Sequence, residues 1–269
     1  MATIFMCPPD FYGIEYEINP WMHRTVKALT GRARDQWWSL YQVLQEDLGC
    51  RVELLRPVPK LPDLVFTANA GLVYGNSVVV SRFRHKERRG EERHFLRWFR
   101  ARRFDATQPP AGMFFEGAGD ALFSGSELFA GYHFRTDIRS HEWIAALWNV
   151  RVISLCLVDE RFYHLDTCFC PLAHGQVIYY PPAFDEYGNK VIEDHFPAAN
   201  RYAVTAAEAR QFACNAVALE TAVVTPARCP KLANQLRRWG YAVHAVELGE
   251  YLKAGGSAKC LTLQLPAAR

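Results

Sequence analysis

The sequence predicts an α/β fold built from repeated units of strand, strand, helix and strand. Gly75, Gly125 and Gly175 lie 50 residues apart, and each stands at the turn of a predicted β-hairpin. A helical pattern follows most of these hairpins, and a further strand completes the unit. A repeat period of about 50 residues favours radial or solenoid repetition. Because no linker or charged run divides the chain, we expect one domain over residues 1–269.

The hairpins open the units. Short apolar runs flank a turn in four places, and the predicted strand pairs are 72–74 with 78–81, 121–123 with 128–130, 172–173 with 177–180, and 216–219 with 222–225. Leu261, Leu263 and Leu265 alternate with polar residues, which predicts a half-buried strand beginning at Cys260. This last strand is interpreted as an incomplete fifth unit.

Helices and closing strands follow in chain order. Helical periodicity predicts helices at 32–48, 91–102, 138–148 and 230–239, with strands at 51–55, 150–157 and 241–247. Thr205 and Glu208 have the spacing of a capping box and predict one more helix start. The composition of segments 25–34 and 181–197 predicts mobile loops.

The composition is that of an ordinary globular protein, with 50% hydrophobic and 22% charged residues and a net charge of +3. Charges of both signs are interspersed, so we expect neither nucleic acid nor a membrane as a partner. No apolar run approaches the roughly 18 residues of a membrane span, and no signal-peptide pattern opens the sequence. Eight irregularly spaced cysteines favour reduced thiols in the cytoplasm. The spacing of Cys168 and Cys170 is not a zinc spacing, and we expect no metal or cofactor.

Residues able to carry chemistry stand before the predicted hairpins. They are Asp63 and Asn69 before the first, Glu116 before the second, His164 and Asp166 before the third, and Cys260 in the last unit. If the units surround an axis, these segments converge on it. A thiol, an imidazole, carboxylates and an amide would then form a set suited to covalent catalysis.

Each of these residues also has a structural alternative. Cys260 follows a flexible glycine pair, as an accessible nucleophile would, yet most cysteines are buried and inert. His164 can be a core histidine, Asn69 a turn residue and Asp63 a cap. Segment 116–120 can be an ordinary turn; as a phosphate loop it lacks the GxGxxG order, and its two acids would repel phosphate. The recurrence of these positions within one repeat favours a shared site.

Five segments together resemble the guanidino-modifying superfamily called penteins. This superfamily includes arginine deiminase, dimethylarginine dimethylaminohydrolase, amidinotransferases and arginine dihydrolase. The segments are LPDLVFTANAGLV, FEGAGDALF, FRTD, HLDTCF and GGSAKCLTL, and they follow the family's order over nearly the whole chain. The resemblance implies a five-bladed α/β propeller of pseudo-fivefold ββαβ repeats.

The resemblance also implies roles for individual residues. Cys260 would be the nucleophile, His164 the general acid and base, and Glu116 a guanidinium anchor. The implied substrate-binding residues are Asp166 at the guanidino nitrogens, Asp63, Asn19 and Asn69 in the pocket, and Arg88 and Arg135 at the substrate carboxylate.

Asn69 is a departure from most of the superfamily, because deiminases and dimethylargininases usually carry an aspartate there. The start EYEINPWM and the stretch TANAGLV look most like the arginine dihydrolase branch. An asparagine amide can donate a hydrogen bond to the ureido oxygen of citrulline, whereas an aspartate would repel that oxygen. We therefore expect a hydrolase that forms a covalent thiouronium intermediate and converts arginine to ornithine, two ammonia and carbon dioxide.

Other functions stay open at this point. Dimethylargininase, arginine deiminase and amidinotransferase activities agree with the same resemblance. A noncatalytic arginine-binding module is the alternative from another class, although such modules typically lack the Cys, His and Glu set. The expected partner is a small guanidino compound, and a homo-oligomer is also possible.

Overall fold

Five three-stranded sheets account for all the strands in the computed structural model, which describes residues 1–266. The predicted domain, 1–269, thus includes three residues that lie outside the described part. The strands are β1 Thr3–Met6, β2 Arg51–Leu54, β3 Gly71–Tyr74, β4 Ser77–Val80, β5 Asp105–Thr107, β6 Ala121–Ser124, β7 Glu127–Tyr132, β8 Val152–Cys156, β9 Phe169–Pro171, β10 Val177–Tyr179, β11 Arg201–Ala203, β12 Val217–Ala218, β13 Ala222–Pro226, β14 Ala242–Val246 and β15 Leu263–Leu265. The helices are α1 Thr30–Gln42, α2 Arg89–Ala101, α3 Arg139–Trp148, α4 Glu186–His195, α5 Ala206–Ala209, α6 Pro230–Arg238 and α7 Gly249–Leu252.

All five sheets have the same strand arrangement. The orders are β3-β4-β5, β6-β7-β8, β9-β10-β11, β12-β13-β14 and β15-β1-β2. In each sheet the first two strands are antiparallel, and the third is parallel to the middle strand. A parallel neighbour needs a crossover, which here contains α2, α3, α4, α6 or α1. The predicted α/β class and its strand–strand–helix–strand unit are confirmed.

The fifth sheet combines the two ends of the described chain. Strand β15 pairs with β1, so that Thr3 lies opposite Leu265 and Phe5 opposite Leu263. Strand β1 was not predicted, because all four of its residues are buried and such a strand lacks alternation. The incomplete fifth unit of the sequence is therefore completed by the first 54 residues.

Several segments differ from the prediction. The predicted mobile loop 25–34 includes the first residues of α1, which begins at Thr30. The predicted mobile loop 181–197 contains α4, where the Asp185 side chain accepts from Gly188 N at 2.7 Å. Its helical pattern is weak because only Gly188 and Ile192 are buried. The third hairpin begins with Phe169–Pro171 instead of 172–173, and Pro171 pairs with Val177.

The helices bury apolar side chains against the sheets. Trp37 and Leu40 of α1, Phe95 and Phe99 of α2 and Ile144 of α3 are fully buried. Each such side chain stabilises the fold by roughly 1.5–3 kcal/mol. No helix within residues 1–266 has both the length and the apolar character needed to cross a bilayer.

Candidate active site

Short 3-10 helices bring the predicted site segments together. Thr67–Ala70 precedes β3, Gly117–Gly119 precedes β6 and Leu165–Thr167 precedes β9. The second of these helices packs against both of the others. Gly117 permits this approach, because its φ is +63° and a Cβ there would lie 2.8 Å from the Gly71 nitrogen. The equivalent ends of separate units therefore meet.

A narrow cavity lies between these segments and the loop that carries Cys260. The predicted residues that line it are Asn19, Asp63, Asn69, Arg88, Arg135, His164 and Cys260. Glu116 and Asp166 are fully buried and do not line the cavity. Seven of the nine predicted site residues therefore line one shared cavity.

The Cys260 loop depends on its two glycines. Gly255 has a φ of +81°, and a Cβ there would lie 2.8 Å from the Tyr163 hydroxyl oxygen. A Cβ on Gly256 would lie 2.8 Å from the Phe66 ring. The Tyr163 hydroxyl donates to the Gly255 carbonyl at 2.8 Å, which fixes the loop against the third unit.

Cys260 is held by two residues behind it. Its sulfur lies 3.1 Å from Asn215 Nδ2 and 3.7 Å from Asp166 Oδ2. Asn215 Oδ1 accepts from Cys260 N at 3.1 Å and from Ser257 N at 3.0 Å. Asn215 therefore fixes both the loop backbone and the thiol.

Burial, and then the Asp166 carboxylate, raise the pKa of the Cys260 thiol well above its usual range. Burial also raises the pKa of Asp166 to about 7, although Lys259 opposes that rise. Since the thiolate is the nucleophile, the resting site favours the unreactive thiol. A bound cation beside the sulfur would shift the thiol toward its thiolate.

His164 and Glu116 form the second half of the site. His164 Nε2 lies 2.7 Å from Glu116 Oε2, which also accepts from Arg135 at 3.1 Å. The other oxygen, Glu116 Oε1, accepts from Arg84 N at 3.2 Å. Burial acts to raise the pKa of Glu116, but Arg135 and His164 outweigh it and hold that pKa well below its usual range. Glu116 is thus a buried carboxylate that orients the imidazole.

Asp120 and Thr136 support this pair. Thr136 donates to Asp120 Oδ2 at 2.6 Å and accepts from Glu116 N at 3.1 Å. Asp120 Oδ1 accepts from Leu165 N at 3.0 Å, next to His164. Burial raises the pKa of Asp120 to about 6. These two residues therefore fix the backbone on both sides of the His164–Glu116 pair.

Asn69 lies between the two halves of the site. Its Oδ1 accepts from Arg88 at 2.9 Å, and its Nδ2 donates to the Glu116 carbonyl at 3.2 Å. A Cβ on Gly119 would lie 2.2 Å from Asn69 Nδ2, so only glycine leaves room for this amide. The neighbouring donor and acceptor fix the orientation of the amide.

Asp63 and Arg88 form the charged wall of the cavity. Arg88 pairs with Glu91 through Nε at 3.0 Å and Nη2 at 2.8 Å. Asp63 Oδ2 lies 3.8 Å from Arg88 Nε, and Asp63 Oδ1 has no hydrogen-bond partner in the described chain. Burial raises the pKa of Asp63, although Arg88 and then the neighbouring Tyr16 hydroxyl oppose the rise. Neither the Tyr16 hydroxyl nor Asp63 Oδ1 makes a hydrogen bond within the described chain, so this carboxylate oxygen is open to a ligand N–H.

Arg135 and Asn19 complete the cavity wall. Arg135 uses one N–H for Glu116 and one for the Ile18 carbonyl, at 2.8 Å, out of the five donors of a guanidinium. Its remaining donors are available to a ligand anion. Asn19 donates to the Ala254 carbonyl at 3.1 Å and accepts from Trp21 N at 2.9 Å. Asn19 therefore ties segment 15–22 to the Cys260 loop.

Comparison with known proteins shows the family to which this chain belongs. A family profile described as "N,N dimethylarginine dimethylhydrolase, eukaryotic" matches residues 16–266. The chain belongs to the dimethylarginine dimethylhydrolase family. Membership agrees with the resemblance of the five sequence segments to the guanidino-modifying superfamily.

Two relatives, and the crystal structure of a domain of one of them, are similar to this chain. The bifunctional arginine dihydrolase/ornithine cyclodeaminase ArgZ of Synechocystis is 50% identical over 97% of this chain and 37% of its own length. The N(G),N(G)-dimethylarginine dimethylaminohydrolase of Mycobacterium tuberculosis is 42% identical over 97% of this chain and 84% of its own. The crystal structure of the N-terminal domain of ArgZ, in a cysteine-to-serine variant bound to substrate, has a TM-score of 0.94 and 48% identity and covers 98% of each chain. This chain thus spans about two fifths of full-length ArgZ.

The sequence analysis did not select three residues that support this site: Asp120, Thr136 and Asn215. Asp120 and Thr136 lie inside the motifs FEGAGD and FRTD, so the resemblance of these motifs was the signal that could have identified them. Asn215 has no such motif. It stands two residues before β12, as Asn69 stands two residues before β3. Applying the repeat rule to the fourth unit would have selected it.

Proposed function

We propose that this chain is a hydrolase that acts on the guanidino group of L-arginine and releases ornithine, two ammonia and carbon dioxide. The observation that carries the proposal is the single small cavity lined by both Cys260 and His164. The similarity to the N-terminal domain of ArgZ, described as an arginine dihydrolase, supports it. The proposal concerns this activity alone, because the chain spans only 37% of ArgZ.

Cys260 would attack the central carbon of the guanidinium. The cation would enter against the unpartnered Asp63 oxygen, and Asp166, 3.7 Å from the sulfur, would hold it beside the thiol. Both the positive charge and the Asn215 amide favour the thiolate. A carbon–sulfur bond forms, and the bond from carbon to a terminal nitrogen breaks. Positioning of this kind contributes on the order of 7–11 kcal/mol to catalysis.

His164 would act as the general acid and base. It gives a proton to the departing ammonia and then removes one from the water that attacks the thiouronium carbon. The carbon–sulfur bond then breaks and citrulline forms. We assign Glu116 to orienting His164 instead of anchoring the guanidinium, because its oxygens already accept from His164, Arg135 and Arg84.

The substrate carboxylate would bind Arg135. Arg88 is less available, because Glu91, Asn69 and the Asp63 carbonyl accept four of its hydrogen bonds. Within residues 1–266, Arg135 makes two hydrogen bonds. A planar guanidinium with free donors binds a carboxylate in a bidentate manner. Arg88 would instead hold Asn69 and Asp63 in place.

Asn69 would determine that the reaction continues past citrulline. One N–H of its amide donates to the Glu116 carbonyl, and the second is left for the neutral ureido group. A second attack by Cys260 would break the bond from the ureido carbon to the ornithine nitrogen. The resulting carbamoyl-enzyme is hydrolysed to carbamate, which gives ammonia and carbon dioxide.

The covalent step can be tested by mass spectrometry. Protein quenched during turnover of arginine should carry an adduct on Cys260, and Cys260→Ser should abolish both the adduct and ammonia release. Cys156→Ser, which changes a half-buried thiol that does not line the cavity, is the control. Ammonia release by Cys260→Ser at the wild-type rate would refute the proposal.

Hydrolysis of methylated arginine is the second candidate function. The matching family profile and the 42% identical mycobacterial relative favour it. Dimethylarginine and arginine should be compared as substrates at equal concentration. Dimethylamine release with a higher kcat/KM than ammonia release from arginine would select this function over the first.

We also infer that the five sheets are the blades of a five-bladed α/β propeller. Their shared strand order and the convergence of their first strands on one region support this arrangement. All eight cysteines are free thiols, which supports a reducing compartment such as the cytoplasm. A homo-oligomer stays a prediction.

A further inference from the structure

A second cavity, of about 350 Å³, lies among the first strands of all five sheets. Its walls include residues of β3, β6, β9, β12 and β15 and share none with the cavity that Cys260 lines. The side chains that form most of the wall are apolar: Leu72, Val73, Leu122, Phe123, Phe169, Val217 and Leu263. The cavity is therefore a separate and mainly apolar space.

Lys259 is the only charged residue that lines this cavity in the described chain. It precedes Cys260 and is half-buried, whereas its neighbours Ala258 and Cys260 are buried. Within residues 1–266 its ammonium makes no hydrogen bond, and no carboxylate oxygen lies within 4.0 Å of it. Burial lowers the pKa of Lys259, although Asp166 opposes this. An ammonium in such surroundings is costly unless an anion joins it.

We propose that this second cavity binds a small organic carboxylate with an apolar body, and that Lys259 is the anchor for its anionic group. The charge complementarity is specific, because a cation would meet Lys259 and no acidic side chain in this cavity. The apolar wall would bury the hydrocarbon part of the ligand and contribute roughly 0.8 kcal/mol for each methylene group. The proposal does not rest on the proposed arginine hydrolysis, although Lys259 also acts on the pKa of Asp166.

Isothermal titration calorimetry with sodium hexanoate tests the proposal directly. Hexylammonium chloride is the matched probe with the same chain and the opposite charge. We expect saturable binding of one hexanoate per chain and no binding of hexylammonium. Equal binding of the two probes, or no saturable binding of hexanoate, would overturn the proposal.

Two variants locate the bound carboxylate. Lys259→Met removes the charge at similar length and should weaken hexanoate binding about tenfold or more, whereas Lys231→Met, on the exposed face of α6, should leave it unchanged. Gln264→Trp retains Lys259 but fills the rim of the cavity with an indole, and it should also weaken binding. If Lys259→Met does not fold, the affinity of Gln264→Trp for hexanoate alone tests the site. Wild-type affinity in the folded cavity variants would refute the site.

Discussion

Asn215 holds Cys260 through both ends of its side-chain amide. Nδ2 donates to the cysteine sulfur and Oδ1 accepts from the cysteine N–H, each at 3.1 Å. The same amide reaches the Asp166 carbonyl through Nδ2 at 3.1 Å. One fully buried side chain therefore couples the backbone of the Cys260 loop to the cysteine sulfur.

Asn215→Asp is predicted to lower the reactivity of Cys260. The aspartate retains an acceptor for the two loop N–H groups, but it places an oxygen where Nδ2 now faces the sulfur. An added carboxylate beside the thiol raises its pKa further. Alkylation by iodoacetamide at pH 8 should slow about tenfold or more, because only the thiolate reacts. Asn234→Asp, on the exposed face of α6, is the control, and an equal alkylation rate in both variants would contradict this role.

Glu116→Gln is predicted to lower kcat by roughly 100-fold or more, which is the scale of a general acid–base contribution. The glutamine has nearly the same shape, but it loses the negative charge that His164 and Arg135 share. Steady-state kinetics with arginine measure the effect. Glu220→Gln, at an exposed position, should keep wild-type kcat. A kcat for Glu116→Gln within about twofold of wild type would show that the carboxylate does not support the imidazole.

Asn69→Asp is predicted to stop the reaction at citrulline. A carboxylate oxygen would replace the Nδ2 that now donates to the Glu116 carbonyl, and it would face a ureido oxygen with like partial charge. Losing one hydrogen bond to a neutral group, worth about 0.5–1.5 kcal/mol, together with this repulsion, shifts the partition roughly tenfold. Chromatography of the products should show citrulline in place of ornithine, while Asn76→Asp in the first hairpin turn leaves the products unchanged. An unaltered ornithine yield in Asn69→Asp would remove this role.

Asp166 is predicted to make the fold less stable as the pH rises from 5 to 7.5. Burial raises its folded-state pKa from 3.8 to about 7. A raised pKa contributes stability below the unfolded value, and that contribution is lost as the pH rises through the folded value. The predicted loss is on the order of 2 kcal/mol in the free energy of unfolding. Urea unfolding at the two pH values should show a smaller decrease in Asp166→Asn, and an equal decrease in both proteins would contradict the buried-carboxylate account.

The repeated unit could be predicted from sequence because its signals are local. Turn glycines at 75, 125 and 175 and the helical periodicity mark four of the five sheets. Strand β1 and helix α4 were missed for opposite reasons. All of Thr3–Met6 is buried, so it has no alternation, whereas α4 buries only Gly188 and Ile192 and has a weak apolar face.

Site residues that lie in sequence motifs could be predicted. Contacts that form only through three-dimensional packing could not. His164, Cys260, Asn69 and Asp63 were selected by position in the repeat, and they line one cavity. The hydrogen bonds of Glu116 depend on Arg135 and Arg84, which come from other segments. No local sequence pattern predicts hydrogen-bond partners that come from distant segments.

The ratio of ammonia to ornithine released from arginine tests the central claim most directly. Samples taken through one time course should be assayed for ammonia, ornithine and citrulline together. The account predicts two ammonia for each ornithine, with little free citrulline at any time. One ammonia for each citrulline, without ornithine, would contradict it.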